Sequence, residues 1–302
     1  MGEVLAVQVS GLEKSYGSHK VLRNLSFDIR QGEIFGLLGP NGAGKTTAIR
    51  ILLNIIKADE GAIQIEGEKF SAVQRDRIGY LPEERGLYLE LRVMDQLLYF
   101  AALKNADPAK ARRNAEMLLE RVGLKEYAKS KVNELSKGMQ QKVQFISTII
   151  HDPDLIILDE PFSGLDPINS KLIKDMILEL RELGKTVVLS THQMEQVERM
   201  CDRIVMINRG DRVLYGSLED VKGNYGRHSL VVGYAGEFPK KKMEGVKKAE
   251  VYGNSAELVL ETGASPTAVL ASLLKEKLEI TKFELTEMSL NEIFISIVEG
   301  SK

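Results

Sequence analysis

The run Gly39-Pro40-Asn41-Gly42-Ala43-Gly44-Lys45-Thr46-Thr47 has the spacing Gly-x-x-x-x-Gly-Lys-Thr. Its glycines let the backbone curl so that successive N–H groups point inward at an anion. A helix starting at Lys45 adds the positive end of its dipole at the same place. Lys45 is then placed to reach the β- and γ-phosphates of a nucleotide, and the Thr46 hydroxyl to hold Mg²⁺. Further along, the apolar run Leu155-Ile156-Ile157-Leu158 ends in Asp159-Glu160. A carboxylate at the end of such a strand can hold Mg²⁺ or its water, and Glu160, one residue on, can orient and deprotonate an attacking water. The chemistry in view is phosphoryl transfer from a nucleoside triphosphate to water.

Positioning these groups requires strands that deliver loops to a common edge. Leu5, Val7 and Val9 alternate, as do Leu25, Phe27 and Ile29, with a turn at Gln31-Gly32. Ile34 to Leu38 is a short buried-strand run leading into the glycine loop, and Ile49, Leu52, Leu53 and Ile56 form the apolar face of a following helix. From about Arg92 to Ile150 the pattern is helical throughout, with stripes Met94, Leu97, Leu98, Ala101 and Met117, Leu118, Arg121, Val122. Leu155–Leu158 and Thr186–Leu189 return to strand, separated by a helix around Lys171–Leu183. Alternating strands and helices of these lengths predict an α/β layer with a largely parallel sheet. Past Leu218 short strands at Ser229–Val232, Lys248–Tyr252, Glu257–Leu260 and Ile280–Leu285 mix with helices at Pro266–Leu278 and Leu290–Val298. That reads as a small C-terminal α+β domain. The predicted division is 1–218 and 219–302, with a helical subdomain at about 86–150. The lysines Lys240, Lys241, Lys242, Lys247 and Lys248 lie between predicted strands and read as a solvated loop.

Between the two chemical sites lies Leu135-Ser136-Lys137-Gly138-Met139-Gln140-Gln141-Lys142, which resembles the signature sequence of ATP-binding cassette (ABC) ATPases. Ser163-Gly164-Leu165-Asp166 is similar to that family's D-loop, and Ser190-Thr191-His192 to its switch histidine. Tyr16 matches the aromatic residue that stacks on adenine. The resemblance covers residues 5 to about 218 and implies a P-loop ABC-type nucleotide-binding domain with a helical insert. It implies ATP and Mg²⁺ as ligands, with Lys45, Glu160 and His192 catalytic. Tyr16, the loop Gly39–Thr47, Ser136 and Gly138 would bind nucleotide, and Thr46, Glu83 and Asp159 the metal. Two departures stand out. Glu83 occupies the place of the family's usual metal-ligating Gln, a role that a carboxylate can also fill. Lys137 replaces a glycine of the usual Leu-Ser-Gly-Gly-Gln.

A signature motif serves ATP only across an interface, so the resemblance implies pairing with a copy of this chain or a related cassette. It also implies a polytopic membrane permease, with Leu87, Tyr88 and Leu89 as candidate contacts. The Leu81–Tyr88 run and the C-terminal domain look like ATPase subunits of bacterial exporters, nearest to the sodium-extrusion (NatA-like) group. The expected location is cytoplasmic, peripheral on the inner face of the cell membrane. Competing readings are an importer ATPase with a regulatory appendix, a soluble ABC ATPase on ribosomes or DNA, and a switch that never hydrolyses.

Composition sets outer limits. The 302 residues suggest about two domains and bury ample core. Forty-one basic against 43 acidic residues leave a net charge of −2, with no basic footprint for nucleic acid. One cysteine, Cys201, excludes an intrachain disulfide framework. No signal-peptide pattern and no 18-residue apolar run is visible, so a reducing cytosolic compartment is expected. His19 and His151 lack a partner at metal-ligand spacing, and Cys201 reads as a small buried hydrophobe.

Overall fold

The computed structural model describes residues 4–84, 86–225, 229–239, 241, 243–261, 263–276, 278–286 and 288–300. Arg85, Lys240 and Lys242, singled out in the sequence, lie outside them. The chain forms two compact units, Met1–Leu218 and Glu219–Lys302.

In the first unit β1 (Leu5–Tyr16) and β2 (His19–Arg30) form an antiparallel hairpin, followed by β3 (Ile34–Leu38) and α1 (Lys45–Leu52). Next come β4 (Glu60–Ile65), α2 (Ala72–Asp76) and β5 (Ile78–Leu81), then the helices α3 (Val93–Leu103), α4 (Pro108–Arg121) and α5 (Lys137–Ile149). The chain re-enters the sheet with β6 (Leu155–Asp159), α6 (Pro167–Glu182), β7 (Thr186–Thr191), α7 (Met194–Met200), β8 (Arg203–Asn208) and β9 (Asp211–Ser217). Two sheets result. One is antiparallel in the order β2-β1-β4; the other runs β5-β6-β7-β3-β8-β9, parallel except for β9. The central strands β3, β6 and β7 are buried at every residue, as expected of parallel strands covered on both faces. Their parallel direction brings the ends of β3, β5, β6 and β7 to one edge, where α/β sheets bind ligands.

A single core joins the two sheets. Val7, Val9 and Phe27 of the antiparallel sheet pack with Ala48 and Ile49 of α1 and with Phe35, Ile157 and Val205. The Phe27 and Phe35 rings stack with centroids 5.5 Å apart. Each of these buried Val, Ile and Phe side chains contributes about 1.5–3 kcal/mol.

Several sequence expectations are corrected in detail. Helix α1 ends at Leu52, because Asn54 turns the chain with φ 54°; Leu53 and Ile56 still pack against the core from beyond the helix. The segment from Arg92 to Ile150 is not continuously helical, since two 3₁₀ turns, Lys125–Lys129 and Val132–Glu134, separate α4 from α5. The buried face of α3 is Val93, Gln96, Leu97 and Ala101, leaving Met94 half-buried. In α4 the face is Ala111, Ala115, Leu118 and Leu119, and Met117 is exposed. Leu118 of the expected stripe is on that face, whereas Ala111 and Ala115 are small enough for a search for large apolar residues to pass over.

The second unit contains α8 (Leu218–Tyr225) at its junction, which the sequence reading did not anticipate. It continues with β10 (Ser229–Ala235), β11 (Val246–Tyr252), β12 (Ser255–Leu260), α9 (Pro266–Lys275), β13 (Glu279–Thr286) and α10 (Leu290–Gly300). The strands form an antiparallel sheet in the order β11-β12-β10-β13. Leu230, Val232, Leu258 and Leu260 pack with Val269 and Leu273 of α9. Ser265 caps α9 by accepting from the Ala268 N–H at 3.4 Å. The helix ends at Lys275 rather than Leu278. Lys247 and Lys248 lie within β11 rather than in a loop, and Lys241 pairs with Glu276.

Candidate functional site

Gly39 follows β3 with φ 147°, and a Cβ there would lie 2.2 Å from the carbonyl oxygen of Ile207. Gly44, with φ 111°, would drive a Cβ to 2.7 Å from Leu22 Cδ2. Both positions accept only glycine, which is the physical content of the motif. The loop is held from outside: the Gly210 N–H donates to Ala43 O at 3.1 Å. Lys45 is 7% exposed, and its ammonium donates to Gly39 O at 2.8 Å and Pro40 O at 3.3 Å. Burial lowers its pKa, opposed by the carboxylates of Glu160, Asp159 and Glu83.

Asp159 is the last residue of β6 and stands opposite Ser190 of β7 in the parallel register. It is 1% exposed. The Ser190 hydroxyl donates to its Oδ1 at 2.7 Å, and the Thr46 hydroxyl to its Oδ2 at 3.1 Å. Burial raises the carboxyl pKa; the two hydroxyl donors lower it, and nearby Glu160 raises it again.

Glu160 turns the chain with φ 50° while its N–H donates to Ser190 O at 2.9 Å. Its carboxylate, 6% exposed, points at the end of β7. Thr191 Oγ1 donates to Oε2 at 3.0 Å, the His192 N–H donates to Oε1 at 3.0 Å, and His192 Nδ1 lies 2.7 Å from Oε1. A buried carboxylate and a half-exposed imidazole are thus linked, and of the two only the carboxylate lines the cavity beside the glycine loop.

Asn41, Gly42, Gly44, Lys45, Thr46, Thr47, Glu83, Asp159 and Glu160 line one cavity of about 450 Å³, with Val21 as an apolar wall. The structure thus brings together the glycine loop, all three proposed metal-side residues and Glu160. It leaves others apart. Tyr16 is 53% exposed at the end of β1, outside the cavity wall, with Lys14 Nζ 5.6 Å from its ring centroid. Ser136 and Gly138 also lie outside the wall, at the start of α5. There Ser136 is the N-cap, accepting from the Met139 N–H at 3.3 Å. The sequence reading assigned no role to Ser190 and Thr191 individually. Their polarity at the end of a buried apolar strand was the available signal.

The donors facing the cavity from Thr46, Asp159 and Glu83 are all oxygens, which suits a hard cation such as Mg²⁺. Among the described residues no group of three or more His, Cys, Asp and Glu side chains could hold a metal ion. Mg²⁺ in nucleotide sites takes one or two carboxylates plus phosphate oxygens, so the donor set fits. The other candidates are structural. His151 Nε2 lies 3.3 Å from Ile78 O, and burial pushes the imidazole pKa down to about 4. Cys201 is buried, and burial pushes its thiol pKa up. His19 is exposed at the start of β2.

Comparison with known proteins decides the family. Residues 22–163 match the model of the ABC transporter family, and residues 216–298 match that of the ATP-binding protein DrrA1-3-like C-terminal domain. The chain is 38% identical over 291 residues to YhaQ of Bacillus subtilis, described as an uncharacterised ABC transporter ATP-binding protein; the match covers 96% of this chain and 97% of YhaQ. The chain belongs to the ABC transporter ATP-binding family. It is also 34% identical over 276 residues to the Nod factor export ATP-binding protein I of Ralstonia nicotianae, covering 90% and 86% of the two chains. A solved ATP-binding subunit of an ABC transporter superposes with a TM-score of 0.68 at 32% identity, covering 73% of this chain and 93% of that one. ABC ATP-binding domains hydrolyse ATP, and their subunits dimerise and work with membrane permeases. Among the described residues no helix is long and apolar enough to cross a membrane.

Proposed function

We propose that this chain binds ATP–Mg²⁺ in the cavity around Lys45 and hydrolyses it to drive a separate permease. The observation that carries the reading is the convergence of Lys45, Thr46, Asp159 and Glu160 on one cavity at the carboxyl edge of the parallel sheet. Lys45 exchanges two loop carbonyls for phosphate oxygens when nucleotide enters. Thr46, Asp159 and Glu83 would hold Mg²⁺, which would supply positive charge to offset that of the phosphates. Glu160 orients the attacking water and accepts its proton, and His192 fixes the Glu160 carboxylate from the β7 end. Tyr16, exposed on its hairpin, offers a face for adenine.

Ser136 and Gly138 lie outside their own cavity, which supports a role across an interface. The N-terminus of α5, with Ser136, would cap the γ-phosphate held by a second copy or a related cassette. ATP would then join the two subunits, and hydrolysis would release them. Tyr88 and Leu89, both about half exposed, and partly buried Leu87 form the proposed permease contact. The export named for the Ralstonia relative supports an exporter, of which the sodium-extrusion (NatA-like) group is one branch, stationed peripherally on the cytoplasmic face of the membrane.

The direct test is nucleotide binding and Mg²⁺-dependent ATPase activity of the purified chain. Lys45→Ala should lose at least about tenfold in ATP affinity, the scale of one charge-assisted contact. Unchanged affinity would place the nucleotide elsewhere.

A further inference from the structure

Glu83 follows β5 and Pro82 on an exposed loop, yet it lines the phosphate cavity. Among the described residues its carboxylate has no hydrogen bond or ion pair, so its place is set by whatever holds the loop. Gln144, in the middle of α5, does this. Its side chain is buried, and Nε2 donates to Pro82 O at 3.3 Å and Glu84 O at 3.2 Å, the carbonyls on either side of Glu83. A primary amide has two N–H bonds, one for each carbonyl, whereas an alanine or leucine at this position has none. The amide's other end is different: Gln144 Oε1 is buried with no hydrogen-bond partner among the described residues. Gln144 also lines a second cavity, of about 320 Å³, walled by Pro82, Leu87 and Phe100.

We propose that Gln144 is a positioning residue for Glu83, clamping the backbone on both sides of that carboxylate and so fixing where it enters the phosphate cavity. The proposal rests on Glu83 serving the metal side of the nucleotide site, as proposed above. It has a mechanical consequence. Ser136 caps the same helix eight residues earlier, about 12 Å along its axis at 1.5 Å per residue. One rigid element thus carries both the residue proposed to meet the partner's nucleotide and the clamp on Glu83. A movement of α5 would displace Glu83 in its own site.

The test uses the full chain and equilibrium binding of a fluorescent ATP analogue, titrated in EDTA and then with Mg²⁺. Gln144→Met keeps the length of the side chain and removes both donors. Loss of a group that orients a metal ligand typically costs about tenfold or more in metal affinity, so this variant should raise the Mg²⁺ concentration needed for tight binding about tenfold. Affinity in EDTA should stay within about twofold, since no direct nucleotide contact is removed. Glu83→Ala should show a loss of the same kind, and the double variant should be no worse than Glu83→Ala alone, because Gln144 acts through Glu83. If Gln144→Met does not fold, Gln144→Asn, which withdraws the amide by one methylene, is measured in the same cycle and read in the same way. A Mg²⁺ loss in Glu83→Ala with none in the Gln144 variant would overturn the positioning role alone. Additive losses in the double variant would do the same. No loss in Glu83→Ala would overturn the metal-side reading of Glu83 and the proposal with it.

Discussion

Removing one hydroxyl, in Ser190→Ala, isolates what holds the buried carboxylate of the site. Ser190 is fully buried, and its Oγ donates to Asp159 Oδ1 at 2.7 Å. Hydrogen bonds to a charged group contribute about 1.5–3 kcal/mol, against about 0.5–1.5 kcal/mol for neutral pairs. Ser190→Ala should therefore destabilise the nucleotide-free protein by about 1.5–3 kcal/mol in urea unfolding at pH 7.5. In an Asp159→Asn background the same substitution should cost only about 0.5–1.5 kcal/mol. The pH dependence has a definite sign. Burial raises the Asp159 pKa above its unfolded value, so ionising this carboxyl costs stability as pH rises through the folded pKa. Ser190→Ala removes a group that lowers that pKa and should push it further up. The two proteins should therefore converge in stability as pH falls and Asp159 takes up its proton. Equal losses in both backgrounds, with no convergence as pH falls and Asp159 takes up its proton, would refute a bond to a charged carboxylate.

Three further outcomes are expected. Gly39→Ala combines a positive φ with a Cβ 2.2 Å from a backbone carbonyl, so the loop must move; the strain alone is about 1–3 kcal/mol, and ATP affinity should fall at least about tenfold in a binding titration. His151 is held neutral with a pKa of about 4 against an unfolded value of 6.5. The unfolded chain binds the extra proton first as pH falls, so about 3 kcal/mol of stability should be lost between pH 6.5 and 4, and His151→Gln should flatten that part of a urea-derived stability profile. A chain ending at Leu218 keeps the whole of the first unit and should bind ATP within about threefold of the full chain, since every proposed nucleotide-binding residue precedes it.

The glycine loop and the Asp159-Glu160 pair were readable from sequence because each is contiguous: a local run fixes both the residue types and the strand that delivers them. Their junction was not. Ser190 and Asp159 are 31 residues apart and meet only because β6 and β7 pair in parallel with that register. Gln144 and the carbonyls flanking Glu83 are separated by 62 and 60 residues, so no spacing rule could relate them. The antiparallel sheet β2-β1-β4 was half legible. The alternation of β1 and β2 showed strands, but the exposed Glu60–Ala62 end of β4 hid the third. Helix α4 shows a further limit, since half of its buried face is alanine; hydrophobic periodicity found Leu118 but set exposed Met117 beside it.

The central claim is that Glu160 is the base and that ATP closes two cassettes on each other. Glu160→Gln keeps the shape of the side chain but cannot accept a proton, so ATPase turnover should fall by about 10²–10⁴. ATP binding should be unimpaired, because a negative charge near the γ-phosphate is removed. The decisive measurement is multi-angle light scattering of Glu160→Gln with ATP and Mg²⁺: the account predicts a shift from monomer to a persistent dimer, abolished by adding Ser136→Arg. Turnover near the parent rate in Glu160→Gln would contradict the account.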